Sequence, residues 1–503
     1  MASAMRPRPR FVALSDVLPA GAQRVPGAAD AGGDVRVSGV TLDSRTVLPG
    51  DLYAALPGHQ THGARFARAA VEAGAVAVLT DAEGARLCAG AGVPVLVVEG
   101  PRQVLGGIAA RIYGQPARAL QMLGITGTNG KTTVASMIDS GLRAAGRTTG
   151  LIGTVGMRIA GQAYPGARTT PEATDLHAAL AVMRERDVAS VVMEVSSIAI
   201  EEWRIDGVRY DVAAFTNLSQ DHLDYHGTMA DYFEAKARLF TDDRAALGII
   251  GVDDEWGRRL AEQARIPLQT WALLDPHADW HAVREGGVVA VVGPGGERQQ
   301  LTVPLLGSFN IANAICAYAV LRAAGVPAYA AAEGIAAVEV PGRMQLVGAR
   351  GGVRGIVDYA HSPDAIERVL RAAREEADGR LIAVLGAGGD RDRGKRPLMG
   401  DTAARLADVL VVTDDNPRSE DPHAIRLAIR EGAEQVAPGG RAEIHDVGDR
   451  GSAITVAVGL AEAGDVVLVL GKGHEQGQEA AGVVTPFDDA AVLRAALDAR
   501  EPS

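Results

Sequence analysis

The chain has 503 residues, of which 47% are hydrophobic and 22% charged, and its formal net charge is −12. This length exceeds one ordinary core, so about two to four domains are expected, and the acidic balance argues against binding to nucleic acid or a membrane surface. Its two cysteines, Cys88 and Cys316, exclude a disulfide framework, and without a secretory signal or an apolar run of about 18 residues, a cytoplasmic protein with no membrane span is expected.

The first predicted domain covers residues 1–115. VSGVTLDSR and DLYAALPG have the pattern of strands with a turn between them. ARFARAAVEAGA, VAVLT, VPVLVV and PRQVLGGIAARIYG then alternate between helix and strand patterns. The stretch YGQPAR predicts a linker to the next domain.

The second predicted domain covers residues 116–345. The strand LQMLGIT leads through a glycine loop, GITGTNGKTT, into a helix that is predicted to begin at Lys131 and to end near Gly146. The apolar residues of this helix share one face; they are Val134, Met137, Ile138 and Leu142. SVVMEV and DVAAFTN follow as strands, so the pattern predicts a mostly parallel sheet covered by helices.

The third predicted domain covers residues 346–503. RGIVDYA, LIAVLGA, DVLVVTD and DVVLVLG have the pattern of buried parallel strands. A helix begins after the first of them, with Ser362 as N-cap and Pro363 as its first residue. This is a doubly wound pattern, and its polar clusters HSPD, GGDRDRGKR, DDNPR and GKGHE fall at the carboxyl ends of strands, where such sheets bind ligands.

The glycine loop has the chemistry of a phosphate-binding site. Backbone N–H groups and the helix dipole converge there, Lys131 can neutralise the β and γ phosphates of a nucleotide, and Thr132 can bind Mg²⁺. The loop departs from the general P-loop spacing, because Ile125 stands five residues before Gly130. The alternative is a glycine turn that only joins strand to helix. No Asn-Lys-x-Asp motif occurs, which disfavours GTP.

Phrases in all three segments resemble the Mur ligases, which are ATP-dependent amide-forming enzymes of peptidoglycan precursor synthesis. Besides GTNGKTT they are TLDSR, GHQTHG, RTTPEA, MEVSS, FTNLSQDHLDYHG, EAKARLF, GSFNIANA, PGRM, VDYAHSPDA, GGDRDRGKRPLMG, DDNPR and GKGHE. The resemblance is strongest to the members that add meso-2,6-diaminopimelate to the D-Glu of UDP-N-acetylmuramoyl-L-alanyl-D-glutamate, through an acyl phosphate. It implies an α/β fold of three domains, with a central P-loop ATPase-type parallel sheet and a C-terminal doubly wound, Rossmann-like domain.

The resemblance also implies ATP as co-substrate and two Mg²⁺ ions. Lys131, Glu194, His222 and Lys236 would be catalytic, and Thr132, Glu194, His222 and Lys236 would hold metal, Lys236 after reacting with CO₂ to form a carbamate. From the residues alone, Glu194 also fits a solvated strand end and Lys236 a surface lysine. The ATP-binding residues implied are Gly127, Thr128, Asn129, Gly130, Lys131, Thr132, Thr133, Asn310, Asn313, Arg343 and Asp358, with His361 beside them.

By the same resemblance, the remaining site residues contact the other two substrates. The UDP-sugar peptide would meet Leu42, Ser44, His59, Gln60, Thr61, Arg168, Thr169, Thr170, Ser196, Glu202 and Arg204. The incoming amino acid would meet Arg391, Asp415, Asn416, Pro417, Arg418, Gly471 and Glu475. Arg418 is expected to select diaminopimelate over lysine, because an unpaired buried arginine is costly; without the resemblance, DDNPR fits an Asp/Asn-Pro turn.

Two positions depart from the family pattern. Ile198 stands where MEVSSH has histidine, and Glu202 stands where glutamine is common. Three alternatives to a diaminopimelate-adding ligase therefore stay open: a relative that adds lysine or another amino acid, a catalytically impaired ATP-binding regulatory protein, and a P-loop motor or switch. A monomer is expected.

Overall fold

A computed structural model describes residues 6–19, 21–25, 35–58, 60–166, 168–285 and 288–500. Within these ranges the first part of the chain contains β1 (Val12–Ala13), α1 (Leu14–Val17), β2 (Gln23–Val25), β3 (Arg36–Val37), β4 (Gly39–Thr41), β5 (Asp51–Ala54), α2 (Ala67–Glu72), β6 (Ala77–Thr80), α3 (Ala82–Leu87), β7 (Val95–Val97) and α4 (Pro101–Ile112). The sheet order is β2-β7-β6-β5-β4, with β4 to β7 parallel and β2 antiparallel at the edge.

The middle of the chain forms a large sheet. Its elements are β8 (Gln121–Thr126), α5 (Lys131–Ala144), β9 (Thr149–Gly153), β10 (Gly156–Ile159), β11 (Gln162–Tyr164), α6 (Ala173–Glu185), β12 (Ser190–Glu194), α7 (Ser197–Glu201), β13 (Val212–Phe215), α8 (Leu223–His226), α9 (Met229–Ala237), β14 (Gly248–Gly251), α10 (Glu255–Gln263), β15 (Leu268–Ala272), β16 (Trp280–Glu285), β17 (Val288–Gly293), β18 (Glu297–Leu301), α11 (Ser308–Ala323) and α12 (Ala328–Ala336). The order is β11-β10-β9-β12-β8-β13-β14-β15-β16-β17-β18; the strands from β9 to β16 are parallel and those beyond them antiparallel.

The last part of the chain forms a third sheet. Its elements are β19 (Gln345–Arg350), β20 (Val353–Asp358), α13 (Pro363–Glu376), β21 (Leu381–Leu385), α14 (Lys395–Leu406), β22 (Val409–Val412), α15 (Pro422–Glu434), β23 (Glu443–Asp446), α16 (Arg450–Leu460), β24 (Val466–Leu470), β25 (Gly477–Ala480), β26 (Val483–Pro486) and α17 (Asp489–Asp498). The order is β19-β20-β24-β21-β22-β23, parallel except for β19, and β25 and β26 form a separate hairpin.

Helix α5 shows how the middle core is built. It begins at Lys131 as predicted, and its predicted apolar face is fully buried against α11 and α12. Gly141 allows α12 to approach closely, because a Cβ on the facing Gly334 would lie 2.3 Å from its Cα. Beyond the helix end, Gly146 has a φ of +76°, which confirms the predicted stop.

Other local predictions differ from the structure in detail. The stretch predicted as one helix in the first domain is a 3₁₀ turn, Gly63–Phe66, followed by α2. Pro363 is the first residue of α13, but the side chain of Ser362 makes no capping hydrogen bond. Cys88 and Cys316 are buried free thiols. Among the described residues, no helix is both long and apolar enough to cross a membrane.

Candidate active site between the second and third sheets

The glycine loop joins β8 to α5 under tight steric constraints. Gly127 and Gly130 have φ values of +141° and +88°, in the region that favours glycine. A Cβ on Gly127 would lie 1.9 Å from Thr216 Oγ1, and one on Gly130 would lie 2.3 Å from Asn313 Oδ1. The loop can therefore bring its backbone close to a ligand, with the N-terminus of α5 behind it.

Lys131 lies along this loop. Its Nζ donates to the carbonyl oxygens of Gly127 and Thr128, both at 2.9 Å. Burial lowers the pKa of Lys131; the carboxylates of Glu194 and Asp221 oppose that shift and Arg343 adds to it. The ammonium is thus presented beside the phosphate-binding turn, as the sequence predicted.

Glu194 occupies the carboxyl end of β12, next to the start of α5. Its carboxylate accepts hydrogen bonds from Thr132 Oγ1 at 3.0 Å, and from the backbone N and Oγ1 of Thr154 at 2.8 and 3.0 Å. The side chain is buried rather than solvated. The alternative of a solvated strand-end acid is therefore wrong.

Lys236, on α9, is 1% exposed, so the alternative of a surface lysine is wrong. Its Nζ donates to Gly127 O at 2.9 Å and lies 4.5 Å from the centre of the Tyr232 ring. No carboxylate among the described residues lies within ion-pairing distance of it. Burial, with the nearby charge of Lys131, holds the pKa of Lys236 well below its usual range.

The ring of Tyr232 also borders His222, whose ring centre lies 6.3 Å away. His222 has a φ of +53° and pairs with Asp221 at 3.6 Å. Burial lowers its pKa, which Asp221 opposes. His226, the other histidine of this segment, donates to or accepts from Ser197 Oγ at 2.9 Å and packs on Tyr232.

The donors around Glu194 fit a hard divalent cation. The Thr132 hydroxyl and the Glu194 carboxylate adjoin at the phosphate-binding turn, where Mg²⁺ is held in P-loop proteins. No three His, Cys, Asp or Glu side chains converge to form a cage anywhere in the described ranges. This agrees with Mg²⁺, which keeps several waters and takes ligands from substrate phosphates.

Residues from the third sheet close the other side of this site. Arg343 Nη2 donates to Thr132 Oγ1 at 3.3 Å, and its guanidinium lies 4.5 Å from the ring centre of Tyr359. Asp358 accepts from the backbone N of Met344 and of Ala360, so its carboxylate holds the backbone between the two sheets. Burial raises the pKa of Asp358, which Arg343 opposes.

A cleft of about 500 Å³ lies between these parts. Its lining includes most of the predicted nucleotide-binding residues, namely Thr128, Asn129, Gly130, Lys131, Thr132, Thr133, Asn310, Asn313, Arg343, Asp358 and His361, together with Glu194 and His222. It also includes residues that the sequence reasoning missed: Thr154, Asn217, Asp221, Trp271, Phe309 and Arg368. Asn217 and Asp221 lie within the phrase FTNLSQDHLDYHG, which was the available signal for them.

The predicted amino-acid residues form a second cluster, at the carboxyl ends of β22 and β24. Asn416 Nδ2 donates to Glu475 Oε2 at 2.8 Å, and Gly471, with a φ of +111°, lies beside Asp415. Arg418 donates from Nη1 to Gly389 O at 2.7 Å and pairs through Nε with Glu479 at 3.4 Å.

Two further residues predicted for this cluster lie on its margin. Arg391 is exposed on the loop after β21. Pro417 packs through its carbonyl against Gly389 of the same loop, where a Cβ would lie 1.9 Å from that oxygen. The DDNPR turn and the GGDRDRG loop are therefore neighbours, as their placement at one sheet edge predicted.

The residues predicted for the nucleotide-sugar lie in the first sheet. Leu42 and Ser44 follow β4, and Gln60 and Thr61 follow β5, at one edge of two parallel neighbours. Gln60 and Thr61 are exposed. His59 lies outside the described residues.

The predicted peptide-binding residues form a charged group at the carboxyl end of β12. Arg204 pairs with Glu172 and Glu202, and Arg168 pairs with Glu172. Glu202, one of the two departures from the family pattern, is thus neutralised by an arginine. The other departure, Ile198, is half-buried on α7.

Three smaller side chains join this group to Glu194. Thr170 Oγ1 donates to Glu194 O at 2.9 Å and accepts from the backbone N of Ser196 at 3.1 Å. Thr169 and Thr154 share a hydrogen bond between their hydroxyls. The predicted peptide-binding residues therefore adjoin the carboxylate of the metal-binding pair.

Comparison with known proteins supports one family throughout the chain. Residues 36–113, 125–321 and 342–473 match the Mur ligase family catalytic domain, the Mur ligase middle domain and the Mur ligase glutamate ligase domain, respectively. A relative from Streptomyces avermitilis, a UDP-N-acetylmuramoyl-L-alanyl-D-glutamate–2,6-diaminopimelate ligase, is 52% identical, with 98% of each chain covered. A ligase of the same name from Corynebacterium glutamicum is 45% identical, with 96% of each chain covered. A solved structure of such a ligase is 33% identical and superposes with a TM-score of 0.68, covering 97% of this chain and 99% of the other.

Proposed function

Because the chain belongs to the Mur ligase family, whose members are ATP-dependent amide-forming ligases, we propose that it joins meso-2,6-diaminopimelate to the D-Glu of UDP-N-acetylmuramoyl-L-alanyl-D-glutamate in peptidoglycan precursor synthesis. The choice of amino acid rests on one observation. Two carboxylates, Asp415 and Glu475, and a guanidinium, Arg418, adjoin at one edge of the third sheet. Such a group of charges complements the distal ammonium and carboxylate of diaminopimelate.

The reaction joins a carboxylate to an amine by way of a mixed anhydride. The D-Glu carboxylate takes the γ-phosphoryl group of ATP to form an acyl phosphate, and ADP leaves. The amine nitrogen of the amino acid then attacks the acyl carbon and loses a proton, and inorganic phosphate departs. The residues that face this chemistry must offset dense negative charge and keep water away from the acyl phosphate.

Residues of the cleft are placed for the first step. The backbone N–H groups of the glycine loop and the Lys131 ammonium are assigned to the β and γ phosphates, and Arg343 reaches the same point from the third sheet. Asn310 and Asn313, which are hydrogen-bonded to each other at 3.1 Å on α11, are assigned to the base and its ribose. Asp358 acts by holding the backbone of the seam.

Thr132, Glu194, His222 and a carbamate on Lys236 are assigned to two Mg²⁺ ions. The metal, when bound, supplies positive charge against the phosphate oxygens and the reacting carboxylate. Lys236 supports this assignment, since its buried amine lacks a carboxylate partner among the described residues and a neutral amine is the form that takes up CO₂. The carbamate would exchange a buried cation for an anion with two oxygen donors.

The remaining assignments concern the nucleotide-sugar peptide. Leu42, Ser44, Gln60 and Thr61, together with His59, are assigned to UDP, because they share one edge of the first sheet. The group of charges around Arg204, with Arg168, Thr169, Thr170, Ser196 and Glu202, is assigned to the peptide, because Thr170 and Thr169 connect it to Glu194 and its neighbour Thr154.

The test is an assay of phosphate release and amide formation with a panel of amino acids. We expect both products, in equal amounts, only when UDP-N-acetylmuramoyl-L-alanyl-D-glutamate, ATP and meso-diaminopimelate are all present. Replacing Arg418 by Met should reduce kcat/KM for diaminopimelate by about a hundredfold or more, because the distal carboxylate loses its partner. Turnover with lysine and none with diaminopimelate would overturn the proposed choice of amino acid.

A further inference from the structure

A buried lysine lies between the residues assigned to the amino acid. Lys472 follows β24 in the turn between Gly471 and Gly473, and none of its side-chain surface is exposed. Its Nζ lies 2.9 Å from Asn416 Oδ1, 3.1 Å from Glu475 Oε2 and 3.4 Å from Asp415 Oδ1. One cation therefore joins the DDNPR turn to the GKGHE turn.

The contacts of Lys472 determine which oxygens stay available. It takes one oxygen from each carboxylate, whereas within the described ranges no hydrogen bond is made to Asp415 Oδ2 or Glu475 Oε1. The Asn416 side chain is fully used, because its Oδ1 also accepts from the backbone N of Glu479 at 2.9 Å and its Nδ2 donates to Glu475. Asn416 thus acts as a joint between the two turns, and the free carboxylate oxygens are those opposite Lys472.

The charges of this cluster sum to one negative unit. Asp415 and Glu475 contribute two carboxylates and Lys472 one ammonium, while the nearby Arg450 is neutralised by a buried pair with Asp489. One ammonium from a ligand would make the cluster neutral. Without Lys472, two neighbouring carboxylates would share a poorly solvated site with no counterion, so one would turn away or take up a proton.

We propose that Lys472 is a positioning residue for the amino-acid substrate: it fixes Asp415 and Glu475 with one free oxygen each and leaves the site one negative charge, which selects a side chain that ends in an ammonium. This inference rests on the proposed function. It adds a residue that touches the recognition groups and not the substrate, and that acts on binding of one substrate out of three.

Steady-state kinetics with each substrate varied in turn tests this role, using the amino acid that the wild-type protein uses best. In Lys472→Met, we expect KM for the amino acid to rise about tenfold or more, because the paired oxygens lose their cation, while KM for ATP and for the UDP substrate changes less than about twofold. Lys472→Arg keeps the charge but not the reach, and should give a smaller rise in the same KM alone; it also serves if Lys472→Met does not fold.

The matched control is Arg380→Met, which removes a cation from the ion pair with buried Asp465 at the opposite end of the same sheet. It should lower Tm without a selective effect on the amino-acid KM. The proposal is overturned if Lys472 variants leave that KM unchanged, or if all three KM values and Tm move together as in the control. A wild type that prefers lysine contradicts only the proposed function, since Lys472 is then judged by KM for lysine; a wild type that forms no amide with any amino acid overturns both.

Discussion

At the scale of single residues, the environment of Lys236 is the least ordinary in the molecule. A lysine on a helix normally keeps its ammonium in water, because burying an unpaired charge is costly. Here the side chain is enclosed by Tyr232 and the glycine loop, and Gly127 O is its hydrogen-bond acceptor. The fold therefore disfavours the cation and favours either a neutral amine or a derivative with negative charge near a metal.

Removing this side chain tests the carbamate. In Lys236→Ala, we expect kcat to fall by about a hundredfold or more, because one preorganised anionic ligand is lost from the reacting centre. Acetate or propionate should restore part of the rate in this variant, and wild-type activity should fall when CO₂ is stripped from the buffer.

Lys131→Ala is the matched control for that experiment. It also removes a buried amine beside Gly127 O, but its proposed role requires a cation, so short carboxylic acids should not restore its rate. If acetate and propionate rescue neither variant and the wild type is indifferent to CO₂, Lys236 acts as an ordinary lysine.

At the scale of elements, the last helix holds the amino-acid site together from behind. Asp489 is the first residue of α17 and forms a two-point ion pair with Arg450, the first residue of α16, with both distances at 2.7 Å and both side chains fully buried. Arg450 also donates to Leu470 O and Asp414 O, which end β24 and precede the DDNPR asparagine. Two helix starts are thus tied to the two turns that carry the recognition residues.

This tie gives a stability prediction. Asp489→Ala leaves Arg450 buried without its partner and should lower the free energy of unfolding by about 3–5 kcal/mol, measured by urea denaturation. The neighbouring Asp488→Ala removes only an N-cap contact to Ala491 N and should cost about 1 kcal/mol. Equal losses in the two variants would show that the buried pair adds nothing beyond a helix cap.

The elements also show where sequence reasoning succeeds. The position of α5 was predictable, because its apolar spacing, the lysine at its start and the glycine after its end all indicate the same helix. The hairpin of β25 and β26 was not, because both strands are largely exposed and lack an alternating apolar pattern. That hairpin is fixed by tertiary bonds, such as Arg418 N to Glu479 O at 3.0 Å.

At the scale of the whole molecule, the site depends on contacts between distant parts of the chain. Tyr359 stacks between Arg343, which donates to Thr132 beside Glu194, and His474, whose ring centre is 5.1 Å away. His474 Nε2 in turn lies 3.2 Å from Thr154 O, and Thr154 holds the Glu194 carboxylate. Motifs could place these residues at strand ends, but no sequence period reports a contact that spans 320 positions. The domain boundaries at 115 and 345 likewise stay predictions.

The contact between His474 and Thr154 predicts how well the two reaction steps are coupled. Because it holds the amino-acid turn against the metal-binding residues, His474→Ala should let water reach the acyl phosphate before the amine does, and the ratio of amide formed to phosphate released should fall below that of the wild type. His474→Gln, which can still donate to Thr154 O, should recover part of the ratio, whereas His445→Ala, a change on β23 of the same sheet, should leave it unchanged. Quantifying amide and phosphate in the same reactions measures the ratio directly, and an unaltered ratio in His474→Ala would mean that closure of the seam does not depend on this bond.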